Sequence, residues 1–200
     1  MSDFLAFFDL GFRHITDPRG LDHVLFLLAL AAIYRLEDWR GVLRVITAFT
    51  VGHSITLALA VTGVLDLPTP LIEFLIPITI VATALENILV RDRRALGKGY
   101  HRPVFAALFG LVHGAGFANY LRSLFVDDLA LPLLGFNLGL EGGQIVVLLL
   151  TFAAFAALDA GLGRVRFPRV AASPLRIRVF AVSSVVATIA VMWAAERSPW

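Results

Sequence analysis

Histidine and carboxylate side chains interrupt the long apolar stretches of this 200-residue sequence. An ionisable group inside hydrocarbon costs roughly 2.5–3.5 kcal/mol even on the lenient insertion scale, so each one needs a physical reason. Imidazole combined with carboxylate suits a divalent transition metal ion, namely nickel, zinc, cobalt or copper(II). The candidate ligands for such an ion, which are distributed over most of the chain, are His14, Asp22, His23, His53, His113 and Glu141.

Further polar residues accompany these candidates and could line a path or support the ligands. Asn137, Glu141 and Gln144 are spaced by four and three residues, so one face of a helix would carry all three. Because that face is polar within an apolar stretch, we expect it to point into the interior of a helix bundle. Ser54 directly follows His53 and is a candidate of the same kind.

Each candidate also has a purely structural interpretation. A single histidine inside a membrane helix is about as often a hydrogen-bonded packing residue as a ligand. Glu86 and Asn87, near the end of an apolar stretch, could line the inner exit of a path or form a clamp with Arg91 or Arg102. The metal interpretation depends on the whole set, since so many costly groups in separate stretches are unlikely to be incidental.

The composition indicates a membrane protein. Hydrophobic residues make up 58% of the chain and the mean hydropathy is +0.83, whereas a soluble domain has roughly 45–50% apolar residues. The sequence has no cysteine and two methionines, which excludes thiolate sites and argues against copper(I). The arginines cluster between apolar stretches and form no continuous basic face, so nucleic acid is not an expected partner. The expected partners are the lipid bilayer and a metal ion, and a homo-oligomer is possible.

The predicted fold class is all-α, a bundle of about six transmembrane helices in one membrane domain over residues 1–200. A short apolar segment, Phe4 to Phe12, precedes the spans and is predicted to be interfacial or re-entrant. Asp17 and Pro18 resemble a helix start, with a capping carboxylate and a proline at the first helical position. The predicted spans are residues 18–34, 42–65, 71–90, 103–125, 133–158 and 175–195.

The distribution of basic residues predicts the orientation of the bundle. The first, third and fifth loops carry most of the arginines, whereas the second loop, DLPTP, carries none. Because arginine-rich short loops stay in the cytoplasm, both termini are expected on the periplasmic side. Glycine pairs spaced by four in the fourth and fifth spans, such as Gly110/Gly114 and Gly135/Gly139, predict close packing of these two spans.

Five segments of the chain, in this order, resemble the HupE/UreJ family of bacterial membrane proteins: GFRHITDPRGLDHVLFLLAL, FTVGHSITLALA, IEFLIPITIVATALEN, FGLVHGAGFA and LLGFNLGLEGGQ. The resemblance implies a six-helix protein of the bacterial inner membrane that acts as a nickel or cobalt permease beside hydrogenase or urease accessory functions. The family's motif His-x(5)-Gly-x-Asp-His falls on His14, Gly20, Asp22 and His23, which implies that these residues take part in nickel uptake. The third-span segment departs from the family in having PITI where a serine is usual.

Three functions are compatible with this sequence. The favoured one is a permease for a divalent metal, with nickel first. His14, Asp22 and His23 would then form the outer capture site. His53, His113 and Glu141 would line the middle, and Glu86 and Asn87 would lie near the inner exit. The second is an intramembrane zinc hydrolase, in which three protein ligands leave one position for water. The third is an accessory protein that binds metal without transporting it.

Overall fold

The structure, a computed structural model, describes residues 3–18, 20–89, 100–122, 130–164 and 173–200. Within these ranges the chain is helical and forms no strand, which confirms the predicted all-α class. A 3-10 turn, Leu36–Asp38, leads into the third helix. The helices are α1 Asp3–Thr16, α2 Leu21–Ala31, α3 Trp39–Val61, α4 Thr69–Leu89, α5 His101–Arg122, α6 Ala130–Arg164 and α7 Pro174–Glu196.

The predicted spans from 42–65 to 175–195 correspond one by one to α3 to α7. Among the described residues, α4, α6, α7 and α3 with its preceding turn are long and apolar enough to cross a membrane, and α2 is a shorter apolar helix. Residue 90 and residues 123–125 of the predicted spans lie outside the described ranges. The chain is therefore a helical, multi-pass membrane protein, while the count of six spans remains a prediction.

The predicted first span, residues 18–34, is shorter than expected. Helix α2 begins at Leu21 after Gly20 and has 11 residues, or about 16 Å at ~1.5 Å per residue, which is half of the hydrocarbon thickness. The Asp17 amide donates to the carbonyl oxygen of Arg13 at 2.7 Å, so Asp17 ends α1 instead of capping α2. The helix start predicted at Asp17 and Pro18 is wrong, because these residues belong to a break between two short helices.

The segment predicted as interfacial or re-entrant forms α1, and α1 packs directly against α6. A Cβ atom on Gly139 would overlap the carbonyl oxygen of Phe8, and one on Gly11 would overlap that of Phe136. Two helix backbones approach this closely only where side chains are absent. Helix α1 is therefore part of the bundle.

Glycines bring α3 and α5 together in the same way. A Cβ atom on Gly52 would overlap the carbonyl oxygen of Ala107, and one on Gly114 would overlap that of His53. The prediction that the glycines of the fourth and fifth spans pack against each other is wrong. The α5 glycines contact α3, and the α6 glycines contact α1. The prediction failed because the glycine spacing identifies the face of a helix that lacks side chains, but not the helix that packs against that face.

The ends of the bundle differ in charge. The arginine-free segment Leu65–Pro70, the start of α4 and the end of α7 lie at one end, and the arginine-rich start of α3 lies at the other. By the distribution of basic residues, the first end is predicted to be periplasmic. We call these the arginine-poor end and the arginine-rich end.

Fusion of a topology reporter tests this orientation. A periplasm-active reporter placed after Trp200 should be active, and one placed in the arginine-rich loop between α4 and α5 should be inactive, because short basic loops are retained in the cytoplasm. A cytoplasmic position for Trp200 would contradict the predicted orientation of the bundle.

Substitution of a packing glycine tests the contact between α3 and α5. Gly114→Ala should lower the stability of the purified protein by about 1–3 kcal/mol, since the added methyl group forces the helices apart at His53. Gly161→Ala is the matched control, because a Cβ atom there meets no described atom within 4 Å. Thermal unfolding midpoints in detergent measure the difference, and equal midpoints for the two variants would contradict the packing.

Candidate metal site

A cavity of about 640 Å³ opens at the arginine-poor end and leads into the centre of the bundle. Residues from α1, α2, α4, α5 and the end of α7 line it. Its polar lining includes Arg13, His14, Asp22, His23, Glu73, His113 and Arg197. The break between α1 and α2 is what places His14 and His23, at the facing ends of two short helices, on the same wall.

Three histidines from three helices meet here: His14 and His23 line the cavity, and His53 is buried next to them. His14 lies in the last turn of α1, His23 in the first turn of α2 and His53 in the middle of α3. One ring nitrogen from each lies within 4.8 Å of those of the other two, and the ring centroids of His14 and His23 are 4.6 Å apart. Three imidazoles at this spacing can bind a single metal ion after small side-chain rotations.

The ring nitrogens of these histidines are poorly satisfied by the protein. Nε2 of His14, Nε2 of His23 and both ring nitrogens of His53 are buried and have no hydrogen-bond partner among the described residues. A buried polar atom without a partner costs about 1–3 kcal/mol. Coordination of a metal ion by these lone pairs would remove that cost, which gives a physical reason for a costly arrangement.

A fourth histidine, His113 of α5, lies next to the group. Its ring centroid is 5.2 Å from that of His23, and its Nε2 lies 3.0 Å from the hydroxyl of Thr79. Because that hydroxyl donates to the carbonyl oxygen of Ile76 at 2.7 Å, it accepts from Nε2–H, and Nδ1 of His113 keeps a lone pair. His113 can therefore supply a further nitrogen to an ion that moves deeper into the bundle.

Aromatic rings close the site on the side away from the cavity. Phe26 and Phe49 stack with their centroids 4.8 Å apart, and Phe49 also contacts His113 at 5.2 Å. On the cavity side, Phe117 lines the cavity and lies 4.0 Å from His14 between centroids. Apolar walls exclude water from the histidines and so raise the cost of leaving a bound cation without its ligands.

The predicted acidic ligands are not part of the three-histidine group. Asp22 lines the cavity, and its Oδ1 lies 3.1 Å from a guanidinium nitrogen of Arg197. Glu141 lies half-buried on α6 and belongs neither to the group nor to the cavity lining as described. Their role as ligands stays a prediction. Asp22 would have to leave Arg197, and Glu141 would have to approach the histidines.

The predicted polar face of α6 packs against α3. The hydroxyl of Ser54 donates to the side-chain oxygen of Asn137 at 2.7 Å, and the hydroxyl of Thr50 donates to that of Gln144 at 3.1 Å. These pairs show that α3 and α6 run antiparallel. Asn137 and Gln144 support α3, the helix that carries His53.

Glu86 and Asn87 lie near the arginine-rich end, away from the three histidines. Glu86 pairs with Arg102 at 3.1 Å and with His101 at 2.7 Å, while Asn87 accepts a short hydrogen bond from Arg102 and donates to the Ala29 carbonyl oxygen at 2.6 Å. The clamp with Arg102, one of two interpretations of these residues, is present.

Sequence reasoning missed Arg197, Thr79 and the role of Phe49. Arg197 follows α7 by one residue and looks like an ordinary interfacial arginine. Thr79 lies within the apolar α4, and threonines are common in membrane helices without any special role. No local pattern marks these residues, since their importance comes from neighbours that are distant in sequence.

A multi-pass helical bundle with a histidine site beside a cavity that opens at the arginine-poor end is the class of protein that the fold and the site define. A family model described as HupE / UreJ protein matches residues 1–197, so the chain belongs to the HupE/UreJ family. Membership assigns it to membrane proteins with roles in metal transport or as metal accessory proteins. No curated protein and no solved structure gives a significant match.

Proposed function

We propose that this protein is a permease of the bacterial inner membrane that admits a divalent transition metal ion, nickel first, from the periplasmic side. The observation that carries the proposal is the group of His14, His23 and His53, of which His14 and His23 line a cavity that opens at the arginine-poor end. Three imidazoles without a thiolate favour nickel, zinc, cobalt or copper(II) over copper(I) or magnesium. The choice of nickel within that group rests on the family resemblance.

The size of the cavity supports a hydrated ion as the cargo. An ion with six water molecules occupies roughly 180 Å³, at ~30 Å³ per water, and the cavity holds about 640 Å³. The ion can therefore enter with its water shell intact. It would exchange water for imidazole nitrogen only at the base, where the lone pairs of His23 and His53 are available.

Among the described residues, aromatic rings and an ion pair lie between the histidines and the arginine-rich end, where one state of an alternating-access transporter would need a barrier. Beyond the rings of Phe26 and Phe109 there is a second cavity of only about 20 Å³, lined also by Thr83, Glu86 and Arg102. That is room for about a single water molecule. Passage to the other side would require the aromatic rings and the ion pair between Glu86 and Arg102 to separate.

Uptake into liposomes tests the permease directly. Purified protein in vesicles that contain a metal-sensitive dye should give nickel influx above that of empty vesicles. Zinc and cobalt, run as parallel arms, rank the ions. Influx should fall to the empty-vesicle level in a triple variant of His14, His23 and His53 to alanine, provided that this variant inserts at normal abundance. Equal influx with and without the wild-type protein would contradict the proposal.

A zinc hydrolase is the second candidate, because three histidines are a complete ligand set for a catalytic zinc with one open position. Such an enzyme also uses a carboxylate base near the metal, and the carboxylate next to the group, that of Asp22, is paired with Arg197 at 3.1 Å. Tightly retained zinc together with hydrolysis of lipid or peptide substrates, and no influx, would favour this candidate. Metal binding without either activity would favour an accessory protein.

A further inference from the structure

A guanidinium group stands in the mouth of the cavity that leads to the histidines. Arg197 follows the last residue of α7, and its Nη1 lies 3.1 Å from Oδ1 of Asp22. Both side chains are partly exposed, at 30% for Arg197 and 21% for Asp22. A fixed positive charge on the path of a cation needs an explanation, since it repels the cargo.

Asp22 is the carboxylate that the cargo would meet on this path. It lies in the first turn of α2, immediately before His23, and lines the same cavity. A carboxylate beside imidazoles attracts a divalent cation and can join its ligands. In this structure, however, Arg197 already occupies an oxygen of that carboxylate. A metal ion and Arg197 therefore compete for the same group.

Arg197 is held loosely enough to give way. Besides Asp22, its guanidinium contacts the ring face of Trp193, at 5.3 Å from the centroid. The contrast is Arg178, which is 2% exposed and donates to Asp159 and to the carbonyl oxygens of Ala32 and Tyr34. Partly exposed ion pairs contribute little to stability, so Arg197 can leave Asp22 while it remains stacked on Trp193.

We propose that Arg197 is a built-in competitor for the incoming metal ion and thereby sets the affinity and charge selectivity of the capture site. Without metal, Arg197 neutralises the carboxylate of Asp22, so monovalent cations are not attracted to it. A divalent ion attracts the carboxylate more strongly than a single guanidinium does, so it displaces Arg197 and gains Asp22 as a partner next to His23. The inference rests on the proposed function and names the residue that regulates its entry site.

The test is metal affinity in variants of the purified full-length chain, measured by titration with nickel and with zinc. Arg197→Gln should bind metal about fivefold more tightly or better, the lower end of typical coupling between sites. Arg197→Lys keeps the charge and should remain within twofold of wild type, about the scatter of such titrations. A purely structural role for Arg197 predicts a loss of affinity, and hence the opposite sign.

Arg13→Gln is the matched control, because Arg13 lines the same mouth but pairs with Asp9 at 2.7 Å. It should change the affinity little, whereas an equal gain in Arg13→Gln would show general charge repulsion and overturn the proposal. The second control is the background of Asp22→Asn, in which the gain from Arg197→Gln should disappear because nothing is left to compete for. A gain that persists there would also overturn it.

The outcomes separate this inference from the permease itself. If the wild-type chain takes up metal and Arg197→Gln shows unchanged or weaker binding, the competitor role fails and the permease stands. If the wild-type chain binds metal and Arg197→Gln binds more tightly but no influx occurs, the competitor role stands and the permease fails.

Discussion

Replacing His53 with alanine should weaken metal binding by at least ~10–100-fold, the loss seen even for groups that only support a ligand. His53 is fully buried, and both of its ring nitrogens lack a partner among the described residues. His14→Ala and His23→Ala should have effects of the same size, because each supplies one nitrogen of the same group. The measurement is metal titration of the purified protein, with membrane abundance determined alongside.

Double variants make this prediction sharper. Residues that serve one ion are non-additive, so His23→Ala combined with His53→Ala should lose little more than either change alone. His101→Ala is the natural control, since His101 is partly exposed and lies outside the three-histidine group, and Glu86 keeps Arg102 when it is removed. Wild-type affinity in both His23→Ala and His53→Ala would leave these residues as packing residues and defeat the metal site.

Replacing Arg102 with methionine should be the most destabilising single change at the arginine-rich end. Arg102 is 4% exposed. It pairs with Glu86, donates to Asn87 and lies over the ring of Tyr34, at 5.7 Å from its centroid. Removing Arg102 deprives the buried side-chain oxygen of Asn87 of its donor, which costs about 1–3 kcal/mol, while Glu86 keeps His101 as a partner. Thermal unfolding midpoints and membrane abundance should both fall.

The matched control for this change is Arg13→Met. Arg13 also pairs with an acid, Asp9, but the two side chains are 75% and 53% exposed, and exposed pairs contribute only about 0–1 kcal/mol. Equal losses of stability in Arg102→Met and Arg13→Met would show that the clamp of Arg102, Glu86 and Asn87 contributes no more than an exposed ion pair.

Much of the fold follows from the sequence because helix length and apolarity are local properties. The spans predicted at 71–90 and 175–195 match α4 Thr69–Leu89 and α7 Pro174–Glu196 to within two residues wherever the chain is described. The polar face shared by Asn137 and Gln144 was also predictable, since a period of 3.6 residues assigns side chains to faces without knowledge of any partner. The all-α class and the membrane setting were determined in the same way.

The first span shows where local signals fail. Asp17 and Pro18 have the residue types of a helix start, yet they form a break between α1 and α2. An aspartate that caps a helix and one that lies in a turn both accept hydrogen bonds from backbone amides, so the residue type does not distinguish them. The packing of α1 against the glycines of α6 determines where α1 ends. Local sequence contains no information about that distant surface.

The sequence by itself determined which residue types are present for metal chemistry, while the tertiary structure decided which of them meet. His14, His23 and His53 come together because α1, α2 and α3 converge beside the cavity. Asp22, one residue from His23, is instead paired with Arg197, which is 175 positions away along the chain. Helical periodicity fixes the face on which a side chain lies, but the partner of that face depends on close backbone contacts between helices that are far apart in sequence.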